Sequence, residues 1–164
     1  MLRYGNPFLG RYLRYVVTLL ILGILLPVIL FPQQPAAAVV SILAAVLLTA
    51  GLDAVIYFAA KNKAAAFTKE DVRVMIPALK TKADWRGYLI MTDSYILFVP
   101  IFHKITFVSE WRKVVSYDME GGYIELLISH AAYKRSVHFI VAYPNMAREE
   151  LDKRTKEARI AVEV

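Results

Sequence analysis

From Tyr15 to Leu52 the chain runs for 38 residues without a charged side chain, broken only by Phe31-Pro32-Gln33-Gln34-Pro35. A helix needs about 20 consecutive apolar residues to cross a bilayer. The pattern therefore predicts a transmembrane hairpin over residues 15–60, with helices at 15–31 and 36–60 and a turn at 32–35. Beyond residue 66 the period shortens to two. Asp71–Ile76 alternates, with Val72, Val74 and Ile76 on one face, as a half-buried strand does. Arg86–Met91 and Ser94–Val99 flank Thr92-Asp93 and predict a β-hairpin. Lys104–Ser109, Trp111–Asp118, Tyr123–Ser129 and Ser136–Tyr143 bring the predicted strands to seven, and Gly121-Gly122 marks a turn. Pro144-Asn145 ends the sheet and opens a helix, with Asn145 as N-cap and Met146, Leu151 and Ile160 on its apolar face. The expected organisation is a basic, aromatic interfacial segment at 1–14, the hairpin, a linker at 61–66 and a cytoplasmic domain at 67–164. The fold class is an α+β membrane protein.

Charge orients this layout. Arg3, Arg11 and Arg14 precede the first span, Lys61 and Lys63 follow the second, and the turn carries none. Positive residues stay on the cytoplasmic side, which predicts a multi-pass protein of the cytoplasmic (inner or plasma) membrane with both termini cytoplasmic. A cleaved leader over residues 1–38 is the rival reading; its long apolar core and Pro27, Pro32 and Pro35 speak against it. Tyr4, Phe8, Tyr12 and Tyr15 beside the arginines fit a membrane–water interface.

Two features of the spans carry chemistry. Ala37, Ser41 and Ala45, then Ala50 and Ala54, repeat at four-residue spacing and predict faces on which another helix packs closely. That helix is the first span or one from another membrane protein. Asp53 is the one acidic residue of the spans, about 12 Å along the helix from Lys61 at about 1.5 Å per residue. An intramembrane carboxylate points to function, unless it pairs with Arg11 or Arg14.

Three stretches of the second half carry a resemblance. Trp85-Arg86-Gly87-Tyr88-Leu89-Ile90-Met91-Thr92-Asp93-Ser94-Tyr95-Ile96-Leu97-Phe98 resembles the "G-x-L-x-x-T-D-x-x-L-x-F" hairpin of the pleckstrin-homology-like (PH-like) superfamily, which includes GRAM and bacterial PH-like domains. Glu110-Trp111-Arg112-Lys113-Val114-Val115-Ser116 is similar to its "W-x-x-I-x-S" strand, and Asn145–Ile160 falls where its capping helix falls. The whole layout is similar to bacterial YcxB-like membrane proteins. The resemblance implies a PH-like seven-stranded antiparallel β-barrel closed by a C-terminal helix. It also implies a lipid-binding cluster near the first strand pair, for which Lys80, Lys82 and Arg86, helped by Lys61 and Lys63, are the candidates; Lys104, Lys134 and Arg135 extend the patch only if the barrel places them on the same side.

Other chemistries find little support. Cysteine is absent, which excludes disulfides and thiolate metal sites. His103, His130 and His138 lack metal-ligand spacing. The nearest carboxylate pair, Asp118 and Glu120, leads into a turn. No cofactor, no metal and no catalytic residue are expected. From Lys61 onward 17 basic residues are scattered among 13 acidic ones, so no nucleic-acid partner is expected either. The expected function is a membrane-anchored, non-catalytic binding or adaptor module that contacts anionic membrane lipids, a protein partner or itself. Open sheet edges allow a homo-oligomer. The alternative is an accessory or assembly subunit of a larger membrane complex, recognised through the spans.

Overall fold

A computed structural model describes residues 8–81, 85–101, 103–130 and 133–163, with the backbone alone at 9, 11, 130 and 157–163. Arg3, Tyr4 and Lys82 lie outside the described residues, as do the side chains of Arg11 and Ile160. The chain divides into two compact units, Met1–Phe58 and Ala59–Val164.

The first unit is a pair of helices. One runs through α1 (Leu9–Thr18), a π-helical stretch Leu19–Leu25 and α2 (Leu26–Leu30). After a turn in which Gln34 N–H donates to Phe31 O at 3.1 Å, the second runs through α3 (Pro35–Val46), a π-helical stretch Leu47–Gly51 and α4 (Leu52–Thr68). Pro27 has no N–H to give the preceding turn, and the wide turn before it is where the ladder adjusts: Leu26 N–H reaches five residues back to Ile21 O. Tyr12–Leu30 and Pro35–Thr68 are each long and apolar enough to cross a membrane, and most of their Leu, Ile and Val side chains are exposed. Small residues bring the helices together. A Cβ added at Gly23 would lie 3.7 Å from Ile42 and 3.9 Å from Ala45, and Ala45 is fully buried.

The second unit holds one seven-stranded antiparallel sheet in the order β4-β3-β2-β1-β7-β6-β5. Its strands are β1 (Val74–Lys80), β2 (Trp85–Met91), β3 (Tyr95–Pro100), β4 (Phe107–Glu110), β5 (Val114–Glu120), β6 (Tyr123–His130) and β7 (Tyr133–Val141), followed by the helix α5 (Pro144–Glu163). Alternation sets one face inward: Ile76 and Ala78, Leu89 and Met91, Ile96 and Phe98, Ile124, Leu126 and Ile128, Val137, Phe139 and Val141 form one core with Ala147 and Leu151 of α5. Phe139 packs against Phe98 and Phe107 with both ring centroids at 5.5 Å. Gly87 is required where β2 meets β3, because a Cβ there would lie 2.3 Å from Val99 O.

The outer face of β2 and β3 is closed as well, with Tyr88, Ile90, Leu97 and Val99 all buried. The end of α4, which belongs to this unit, buries Ala60 and Ala64 on one side. Lys63 Nζ donates to His103 O at 2.8 Å, and Glu70, just past the helix, accepts Ser94 N–H at 2.9 Å. Residues 61–66 are thus helical and tied to the sheet.

Several elements are displaced from their predicted places. β1 starts and ends later than Asp71–Ile76 because Pro77 continues the strand at the point where pairing with β7 begins. Trp111–Lys113 is a 3-10 turn before β5. α5 begins at Pro144, with Ala147 N–H bonded to Tyr143 O at 3.1 Å, so Asn145 lies within the first turn. Its inward face is Ala147, Leu151 and Thr155, while Met146 is half exposed.

Candidate functional site

The inward parity that builds the core continues to one end of the sheet with polar residues. After Ile76 and Ala78, the next inward position of β1 is Lys80, paired with Phe139 of β7 on one side and Trp85 of β2 on the other. After Phe139 and Val137, the corresponding position toward the start of β7 is Arg135. Lys80 is half-buried and donates to Thr106 O at 3.3 Å. Burial, and then the nearby Arg135 charge, hold its pKa below the ordinary lysine value. No carboxylate pairs with it among the described residues. The Thr106 hydroxyl beside it is buried and has no hydrogen-bond partner in the described structure, an unmet donor of the kind that native interiors rarely leave. Trp85 is 38% exposed and stacks on His103, with ring centroids at 5.2 Å and planes 8° apart. The Lys63 contact to His103 O adds a third cation to this end.

The other expected basic residues lie around rather than within this group. Arg86 is exposed on the opposite face of β2 from Lys80 and Trp85, and Lys61 is exposed on α4. The sequence analysis singled out Lys80 and kept Arg135 as an extension of the patch conditional on its side of the barrel, but it missed Thr106 and the Trp85–His103 pair. The period-two register running out of a hydrophobic strand into a lysine was the available signal.

In the first unit, Asp53 accepts Arg14 Nη2 at 3.2 Å and the Tyr15 hydroxyl. The carboxylate is therefore paired between the helices, as the Arg14 alternative anticipated. Ala37 and Ser41 are half-buried and Ala45 is fully buried; the stripe then continues through Thr49, which is buried and bonds Ala45 O at 2.7 Å, to Asp53. Ala50 and Ala54 lie outside this stripe and are exposed. The buried stripe keeps its four-residue spacing through Thr49 and Asp53, across the π-helical turn at Leu47–Gly51, and Ala50 and Ala54 stand one residue off it.

A cleft of about 470 Å³ lies between β5 and α5, lined by Ser116, Tyr117, Met119, Arg148, Asp152 and Lys156 among others. The Tyr117 hydroxyl donates to Asp152, and burial together with that carboxylate pushes its pKa up to about 12. It stays protonated at neutral pH. Asp118 accepts Met119 N–H at 2.8 Å, and both Asp118 and Glu120 are exposed. His138 lies 2.7 Å from the Tyr123 hydroxyl, and no cluster of three metal-ligating side chains occurs among the described residues.

No protein-family model and no curated protein matches the chain. Among solved structures it is similar to the complex of the FERM and C-terminal domains of Drosophila Merlin, with a TM-score of 0.47 and 9% identity over 56% of this chain and 31% of that one. It is also similar to the C-terminal domain of an unknown protein from Leishmania infantum, with a TM-score of 0.48 and 12% identity over 58% of this chain and 93% of that one. The chain thus spans under a third of the Merlin chain's length.

Proposed function

We propose that this chain is a membrane-anchored, non-catalytic binding module. The helix pair spans the cytoplasmic membrane with both termini in the cytoplasm, and a PH-like sheet domain contacts anionic lipid head groups. The observation that carries the reading is Lys80: a half-buried ammonium with a depressed pKa, a second cation nearby, no carboxylate partner among the described residues and a buried, unmet hydroxyl beside it. A buried charge is costly without a counter-charge. An anionic oxygen supplies that charge and accepts from the hydroxyl. The exposed Trp85 ring suits the amphipathic layer at the head groups.

The test uses the full-length protein reconstituted in bilayers containing brominated anionic lipid. Trp85 fluorescence should be quenched, whereas the buried Trp111 is shielded. Replacing Lys80 and Arg135 together by glutamine should reduce the quenching several-fold, since each surface cation contributes roughly 1 kcal/mol near an anionic leaflet. Equal quenching in the double variant sinks the lipid reading.

A second reading, an accessory subunit of a membrane complex, is favoured by the outward position of Ala50 and Ala54. Ala50→Leu should then release a co-purifying membrane protein while the hairpin stays intact. Retention of that protein by the variant removes this reading.

A further inference from the structure

The turn between β2 and β3 gathers polar contacts from three parts of the sheet unit. Thr92 is fully buried; its carbonyl accepts Trp111 Nε1–H at 3.0 Å, and Ser94 O accepts the Trp111 backbone N–H at 3.0 Å. The buried indole seats the turn. Asp93 stands out from it and accepts Arg73 Nη2 at 3.0 Å and Arg154 Nη2 of α5 at 2.8 Å. Arg154 is held a second time by Glu150, Nε to Oε1 at 2.8 Å.

Residues 69–73 are the covalent route from α4 into β1. The segment opens at Lys69, with φ at 57°, a left-handed conformation that a lysine adopts at a cost and keeps only where its surroundings impose it. The described ties of 69–73 to the sheet converge on one place: Arg73 N–H on Met91 O at 3.0 Å, the Arg73 side chain on Asp93, and Glu70 on Ser94 N–H.

We propose that this turn is a charge clasp, in which Asp93 holds the 69–73 strap and the C-terminal helix closed on the same edge of the sheet. Two arginines distant in sequence share one carboxylate; neutralising it leaves them repelling each other, and salt weakens both of its ion pairs. The strap opens first, because Arg154 keeps Glu150 while Arg73 has no second carboxylate within hydrogen-bond range among the described residues. The link between the long helix and the sheet is thereby made sensitive to ionic strength.

Hydrogen exchange of the full-length protein in detergent micelles tests this, comparing wild type, Asp93→Asn and Arg73→Gln. Raising salt from about 0.1 M to about 1 M shortens the Debye length from about 10 Å to about 3 Å. Exchange at 69–73 should then quicken about two- to fivefold in the wild type, the size expected of an exposed ion pair. Asp93→Asn should show the fast rate at both salt concentrations, with a smaller acceleration at 150–156. Arg73→Gln should free the strap and leave 150–156 at the wild-type rate. Amides of β6 and β7 that exchange as in the wild type report an intact fold. Salt-independent exchange of the strap, or an Asp93→Asn effect confined to one of the two segments, overturns the clasp.

Discussion

The two units of this chain distribute polarity in opposite ways. The sheet unit turns Leu89, Phe98, Leu126 and Phe139 inward and leaves charge on its surface. The helix pair turns Leu20, Leu43 and Leu47 outward and keeps its described ion pair, Arg14 with Asp53, between the helices. Water can drive the first arrangement, since burying apolar surface is what it favours. On the membrane-spanning reading proposed above, the second is held instead by apolar surroundings and by small residues that let helices meet. The difference teaches that equally hydrophobic residues hold the two halves by different forces, so the same kind of substitution should have different consequences in each.

Phe139→Ala is the hardest test of that contrast. It should remove about 3–5 kcal/mol from the sheet unit, read as a shifted denaturant midpoint by tryptophan fluorescence. Leu43→Ala, on the outer surface of the hairpin, should leave the helical signal in micelles unchanged. Comparable losses from both would erase the distinction. Gly87→Val should cost about 1–3 kcal/mol through overpacking against the β3 backbone, with the same readout.

Within the hairpin, Ala45→Leu should destabilise helix pairing by about 1–3 kcal/mol, while Ala50→Leu should not, measured by unfolding in mixed micelles. If the two behave alike, the buried stripe is wrongly drawn. Smaller effects come from titration. The folded-state pKa of Lys80 lies below the ordinary lysine value of 10.5, so between those two values the unfolded chain binds more protons and stability rises with pH. Lys80→Gln should flatten that rise, and an unaltered pH profile would contradict it. The smallest effect belongs to Asp93, whose pKa is held below 3.8 by its hydrogen bond from Arg73 and also by Arg154. Its contribution is present above 3.8 and is lost as pH falls through the folded value, a dependence that Asp93→Asn should abolish in acid denaturation.

The two helices, the seven strands and the closing helix were legible because periods of 3.6 and two are written directly into apolar spacing. What was hidden depended on contacts between distant residues. Pro77 lacks an N–H and argues locally against strand, yet the structure uses it at the end of the β1–β7 ladder, where its carbonyl accepts Ala142 N–H at 2.9 Å. Tyr133-Lys134-Arg135 reads as a polar loop, but its pairing with residues 128–130 extends β7 toward its start. Lys80 was identified by charge alone; that it points inward beside Thr106 follows from the face of Val74, Ile76 and Ala78 running on past the predicted strand end at Ile76. Lys82 lies outside the described residues, so its place in the group stays an expectation from sequence.

The wide turn at Leu47–Gly51 gives the hairpin one residue to spare. Leu48 is exposed, and many apolar side chains should serve there equally well. Taking one residue out of the wide turn closes it to an ordinary α-turn, and the helix beyond resumes with Asp53 still on the face that meets Arg14 and Tyr15. A mutational scan of this segment should therefore tolerate nearly any apolar letter at position 48 and a single-residue deletion there as well.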